Sequence, residues 1–176
     1  MANRSKKVVL SARVDPYLKA ALELLATSQN QKIVKLLEMF IEEGMDNTKI
    51  ENPLKYDGKK VDYMMVFKSI WTEDEVIYKL RAGALGSKFS GDELAKIASR
   101  VVDNNYFDGD YELFGDLNGM ADKYGFAPPY PWKINVDLVR AEWGILNQYV
   151  SFLESNKPFS PSYDEYKNIL AKSESK

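Results

Sequence analysis

Neither cysteine nor histidine occurs in the 176 residues. Without cysteine there are no disulfides and no thiolate metal sites. Without histidine the usual general base, the commonest zinc ligand and a serine-type triad disappear together. No run of about 18 apolar residues is present, so no membrane-spanning helix is expected. The opening "MANRSKK" and the short apolar stretch behind it do not have the form of a secretory signal. The expected location is therefore the cytoplasm, with no membrane partner. A glycine-rich phosphate loop, a nucleophile elbow and a zinc motif are also missing, and the chain is read as a non-enzyme with no cofactor and no metal.

What is present is an ordinary soluble composition, 45% apolar and 28% charged. The net charge of −2 is unevenly spread. Residues 1–35 carry seven basic side chains against two acidic ones, which leaves 17 basic against 24 acidic in the other 141. A basic end on an acidic body suits contact with a polyanion, and equally suits a solvated basic terminus without a partner.

Within that basic end the hydrophobic period changes. Val8, Leu10, Ala12 and Val14 alternate with Val9, Ser11, Arg13 and Asp15, the pattern of a strand. At Asp15-Pro16 the chain acquires a plausible N-cap followed by proline at the first helical position. Leu18, Ala21, Leu22, Leu25 and Ala26 then fall at helical spacing. The helix is expected to stop in "TSQNQ", where Asn30 suits a left-handed cap. A second helix carries Ile33, Leu36, Leu37, Phe40 and Ile41 on one face and ends near Gly44. One short strand leaves its backbone N–H and C=O groups without partners. Either a distant strand supplies them or an antiparallel strand from a second copy of the chain does, and the rest of the sequence offers few strands.

The stretches "VVLSARVDPYLKAALELLA" and "IVKLLEMFIEEGM" resemble the ribbon-helix-helix family of DNA-binding proteins, which lays a two-stranded ribbon in the major groove. The resemblance covers about residues 8–44. The turn "QNQKIVK" departs from the family's pattern, with Asn30 at the glycine position and Lys32 near the hydroxyl position. The resemblance implies that Val9, Ser11 and Arg13 face base edges, while Leu10, Ala12 and Val14 face the dimer core. Arg13 would form a bidentate bond to guanine, Ser11 would donate or accept, and Val9 would touch a thymine methyl. Gln31 and Lys32, at the start of the second helix, would offer backbone N–H groups to a phosphate. Arg4, Lys6, Lys7 and Lys35 would contact phosphates by charge.

Residues 46–60 are polar, contain Pro53 and Gly58, and read as a linker. "VDYMMVFKSIW" (61–71) suits either helix or strand and is taken as helix. Three capping-box patterns follow. "TEDE" opens a helix to about Leu85, "SGDE" one to about Val102, and "SYDE" one to about Ala171. Residues from Tyr111 to Tyr124 are expected to be helical, and "FAPPYPW" extended. The longest helix should run from Val136 to about Glu154, with Val136, Val139, Trp143, Leu146, Val150 and Leu153 as a core stripe. The cluster Asp103, Asp108, Asp110 and Glu112 lacks the register of a calcium loop and reads as an acidic turn.

The expected fold class is mainly α. A ribbon-helix-helix unit over residues 1–45 is followed by a linker over 46–60 and an α-helical domain over 61–176. The expected function is sequence-specific binding of double-stranded DNA as a homodimer or higher oligomer, as a repressor in a bacterium, phage or plasmid. The alternatives are an accessory factor for plasmid transfer, segregation or antitoxin-like pairing, or a C-terminal ligand sensor or enzyme. The C-terminal domain would in these cases hold a protein or a small ligand.

Overall fold

Burial divides the chain unevenly. Before Leu54 only Ala26 and Leu36 are buried among the described apolar side chains, whereas a continuous core runs from Leu54 to Tyr166. The structure is a computed structural model that describes residues 8–54, 58–117 and 132–174. It is mainly helical, with only small two-stranded sheets. Residues 8–15 belong to no helix or sheet and are exposed throughout.

Helix α1 spans Pro16–Ser28 and α2 spans Ile33–Asn47. The turn between them closes as the sequence predicts. Asn30 has φ 50°, its N–H donates to the Thr27 carbonyl, and the Gln31 N–H donates to the Ala26 carbonyl. This paired closure satisfies carbonyls that the last helical turn would leave open. The second helix runs one turn beyond Gly44.

The stretch 46–60 is not the polar spacer its composition suggests. Strand β1 (Lys49–Glu51) pairs antiparallel with β2 (Lys60–Asp62), matching Ile50 to Val61. Each strand has one apolar residue between two charged ones, so a single cross-strand apolar pair faces the core. Lys49 and Asp62 form an ion pair across the ladder, and Leu54 in the turn is buried. The pairing signal was hidden because three-residue strands are too short for alternation to stand out.

Helix α3 (Tyr63–Ile70) follows β2 directly and packs on α2, where Lys68 meets Glu42 at 2.7 Å. The body is then built from α4 (Glu75–Ala84), the short α5 (Ser87–Ser90), α6 (Asp92–Val102) and α7 (Val136–Ser155), closed by α8 (Tyr163–Glu174). The stripe read on α7 is core: Val139, Leu146, Val150 and Leu153 are buried, and Val136 and Trp143 pack against them. Of the three capping boxes only Ser162–Glu165 forms in full, with the Ser162 N–H donating to Glu165 at 2.7 Å and the Glu165 N–H donating to the Ser162 hydroxyl at 3.3 Å. In "TEDE" the cap is Asp74, which accepts from the Ile77 N–H at 3.1 Å. In "SGDE" the cap position falls to Gly91, because Ser90 ends α5 and donates back to Gly86.

The helix expected from Tyr111 to Tyr124 is overturned over its first part. A 3-10 turn at Asn105–Phe107 leads into strand β3 (Asp108–Glu112), which pairs antiparallel with β4 (Lys133–Ile134), and a second 3-10 turn follows at Gly115–Leu117. Residues 118–124 and most of "FAPPYPW" lie outside the described residues. Asp108, Asp110 and Glu112 alternate to the exposed side of β3, so these three residues form one face of a strand, while Asp103 ends α6. Gly109 permits this path, since a Cβ there would sit about 2.6 Å from the Asn135 Cα.

Two packing features decide how the body closes. Arg81 on α4 is 1% exposed, and it donates to the Leu113 carbonyl at 2.8 Å and to the Ile70 carbonyl at 3.3 Å. Helix α4 lies so close to α6 that a Cβ on Gly83 would land on the Leu94 carbonyl and 2.8 Å from the Ala98 Cβ.

A polar knot joins α7, α8 and the Asn105–Phe107 turn. The Tyr106 hydroxyl donates to Glu142 at 2.6 Å and the Tyr163 hydroxyl donates to it at 2.7 Å. Lys167 lies 3.8 Å over the Tyr106 ring and 3.4 Å from the same carboxylate. Burial alone would raise the Glu142 carboxyl, but the two phenol donors and the ammonium outweigh it and hold it below its ordinary 4.5.

Two predictions follow from this packing. Propensity favours alanine over a helical glycine by about 1 kcal/mol. Overpacking typically costs about 1–3 kcal/mol, and at Gly83 the obstacle is backbone. Gly83→Ala should therefore lower the urea midpoint, and a raised midpoint would contradict the packing described. Glu142 has a depressed pKa, so its contribution is present above pH 4.5 and lost as pH falls through the lower folded-state value. The stability gap between the native chain and Glu142→Gln should be widest near neutrality and narrow in acid, read from urea titrations at both pH values. A gap independent of pH would remove the knot from the acid response.

Candidate nucleic-acid interface

The residues that the sequence places at a DNA surface lie at the open end of the structure. Val9, Ser11 and Arg13 sit on the segment before α1, all exposed. Arg4, Lys6 and Lys7 lie outside the described residues. Gln31 and Lys32 form the approach to α2, and Lys35 stands in its first turn. Arg13, Lys32 and Lys35 make no ion pair among the described residues.

The start of α2 has the character that an anion requires. Its N-cap is Lys32, no side chain caps it, and its first turn has no acidic residue. The Lys32 carbonyl accepts from Lys35 and Leu36, while the N–H groups of Ile33 and Val34 have no acceptor among the described residues. Such N–H groups together with the helix dipole favour negative charge.

The strand-like alternation of residues 8–14 does not become a strand within one chain. Among the described residues nothing pairs with it. Leu10 and Val14, read as facing a core, are 79% and 59% exposed, and Val9, read as facing DNA, is 92% exposed. Both faces of the segment are thus open.

The helices behind it are equally uncovered. Of the face read on α1 only Ala26 is buried, with Leu22 and Leu25 half-buried and Leu18 exposed. Of the face read on α2 only Leu36 is buried, while Ile33, Leu37, Phe40 and Ile41 stay exposed. The sequence reading missed that Tyr17 and Leu24, one heptad apart, add to the open apolar surface of α1, as do Val34 and Met39 on α2. The seven-residue spacing of Tyr17 and Leu24 was the available signal. Large contiguous apolar patches on a protein surface are characteristic of interaction sites, and these helices leave many large apolar side chains exposed.

No family model matches the chain, and no curated protein or solved structure matches it significantly.

The turn that aims α2 rests on a non-glycine residue at positive φ, which gives a local test. A β-branched side chain there meets the left-handed penalty of roughly 1–2 kcal/mol. Asn30→Val should lower the melting temperature, and Asn30→Gly should leave it equal or slightly higher. An unchanged melt for Asn30→Val would show that the turn adopts another conformation in solution.

Proposed function

We propose that the chain is a sequence-specific DNA-binding protein of the ribbon-helix-helix kind and works as a homodimer that represses transcription. Residues 8–14 of two copies pair as an antiparallel ribbon. Leu10, Ala12 and Val14 turn toward the α1 and α2 faces, and Val9, Ser11 and Arg13 turn toward base edges in the major groove. The Arg13 guanidinium reads guanine through two parallel bonds. The start of α2 takes a backbone phosphate through its free N–H groups, with Lys32 and Lys35 beside it, and these contacts set position rather than sequence. The acidic body stays off the DNA.

One observation supports this reading above the others. An alternating eight-residue segment with both faces exposed precedes two helices whose apolar faces are also exposed. A second copy of the same segment and helices satisfies the backbone and the apolar faces in one association. Arg13, Lys32 and Lys35, which make no ion pair among the described residues, lie on the same part of the chain.

Selection of genomic fragments by the full-length protein, with footprinting of the best fragment at two salt concentrations, tests the reading. A short repeated site protected at both salt concentrations is expected. Arg13→Ala should weaken that site by roughly 1–3 kcal/mol while barely changing binding to unrelated DNA. Deleting residues 1–15 should abolish DNA binding and reduce dimerisation together. Weak binding to all fragments that vanishes with salt, or a truncated chain that dimerises as before, would overturn it.

A further inference from the structure

A ladder of aromatic rings is built on α3. Tyr63 and Phe67 follow at four-residue spacing on the helix, and Trp71 stands at its C-terminal end. Ring centroids lie 6.2 Å apart from Tyr63 to Phe67 and 5.5 Å from Phe67 to Trp71. Phe89 on α5 extends the row at 5.4 Å from Tyr63, and Tyr78 on α4 extends it at 4.9 Å from Trp71. None of the five is buried: Trp71 is 49% exposed and the others are half-buried.

The polar groups on these rings are unused. The hydroxyls of Tyr63 and Tyr78 and the indole N–H of Trp71 have no acceptor among the described residues. By contrast, Tyr106 and Tyr163 donate to Glu142, and Tyr149 donates to the Pro161 carbonyl. The ladder thus combines partly open apolar rings with free donors. A polyproline II segment has the complementary character. Its carbonyls make no internal hydrogen bonds, and its extended form is set before binding. Aromatic-lined surfaces recognise proline-rich segments in this way.

Charge narrows the choice further. The cations next to these rings in sequence are neutralised: Lys68 by Glu42 at 2.7 Å, Lys79 by Glu75 at 2.5 Å and Lys88 by Glu51 at 2.7 Å. Asp74 is held by Arg140 at 2.6 Å. Glu73, exposed just after Trp71, makes no ion pair among the described residues. A nucleic-acid strand would find no free cation among these side chains. Two copies meeting about a two-fold axis at Trp71 would bring two Glu73 carboxylates together. A partner with a basic residue beside its prolines meets neither conflict.

We propose that this ladder docks a basic proline-rich segment of a partner protein. The segment's pyrrolidine rings lie on the aromatic row, and its carbonyls accept from the Tyr63 and Tyr78 hydroxyls and the Trp71 indole. Its lysine or arginine meets Glu73. The ladder shares no residue with the DNA interface, and its case does not depend on that reading.

Titration of the full-length protein, followed by the indole N–H resonance of Trp71, tests the site. The probe is a peptide of repeated Pro-Pro-Ala triplets flanked by arginines. The comparison probes are the same peptide with glutamates for the arginines, the same peptide with alanine for every proline, and oligothymidylate. Saturable displacement of the resonance by the arginine-flanked peptide is expected, with each comparison probe weaker by about fivefold or more. Tyr78→Phe keeps the ring and removes its donor, and should weaken the peptide by about threefold. Glu73→Gln should weaken it by about threefold as well. Absence of a saturable shift, equal binding of any comparison probe, or unchanged affinity in both variants would overturn the proposal.

Discussion

A buried guanidinium holds the body together. Arg81 has almost no contact with water, and a charge in that position is costly unless its donors are met. They are met by carbonyls from two other parts of the chain, at Ile70 where α3 ends and at Leu113 beyond β3. The end of a helix leaves carbonyls open, and a strap that turns after a short strand does the same. One side chain thus answers two backbone needs and fixes α4 between them. The close contact of Gly83 with α6 is possible only with α4 in that position.

Residues 8–47 have no such closure among the described residues. Their two helices are well formed and well capped at Asn30, yet nearly all their apolar side chains face outward. Local order here therefore rests mainly on turn chemistry and helix propensity, since within the single chain few of their apolar side chains are buried. This contrast between a filled body and an open end is the physical basis for reading the end as an association surface. The charge asymmetry along the sequence follows the same division.

The sequence made visible those features that depend on near neighbours. The break at Asp15-Pro16, the left-handed residue at Asn30 and the long stripe of α7 all rest on local spacing, and all are found. Val9, Ser11, Arg13, Gln31, Lys32 and Lys35 are singled out only through the resemblance to the ribbon-helix-helix family, and each is exposed in the structure. Features set by distant contacts were not legible. The hairpin of β1 and β2 consists of three-residue strands with one apolar pair. Strand β3 could be mistaken for helix because what defines it is β4, some twenty residues later, and the close passage of Gly109 over Asn135. Two capping boxes failed because a neighbouring residue took the cap or a preceding helix claimed the serine.

The short hairpin between α2 and α3 has a mechanical meaning. A flexible spacer would let the basic end and the acidic body tumble independently, and the body would then act on the end only through effective concentration. Here α2 passes into a hydrogen-bonded turn, the turn into α3, and α3 lies back on α2 with Lys68 against Glu42. The carbonyl at the end of α3 is the one that Arg81 holds. The open end and the filled body are therefore joined by paired strands and packed helices rather than by a free tether.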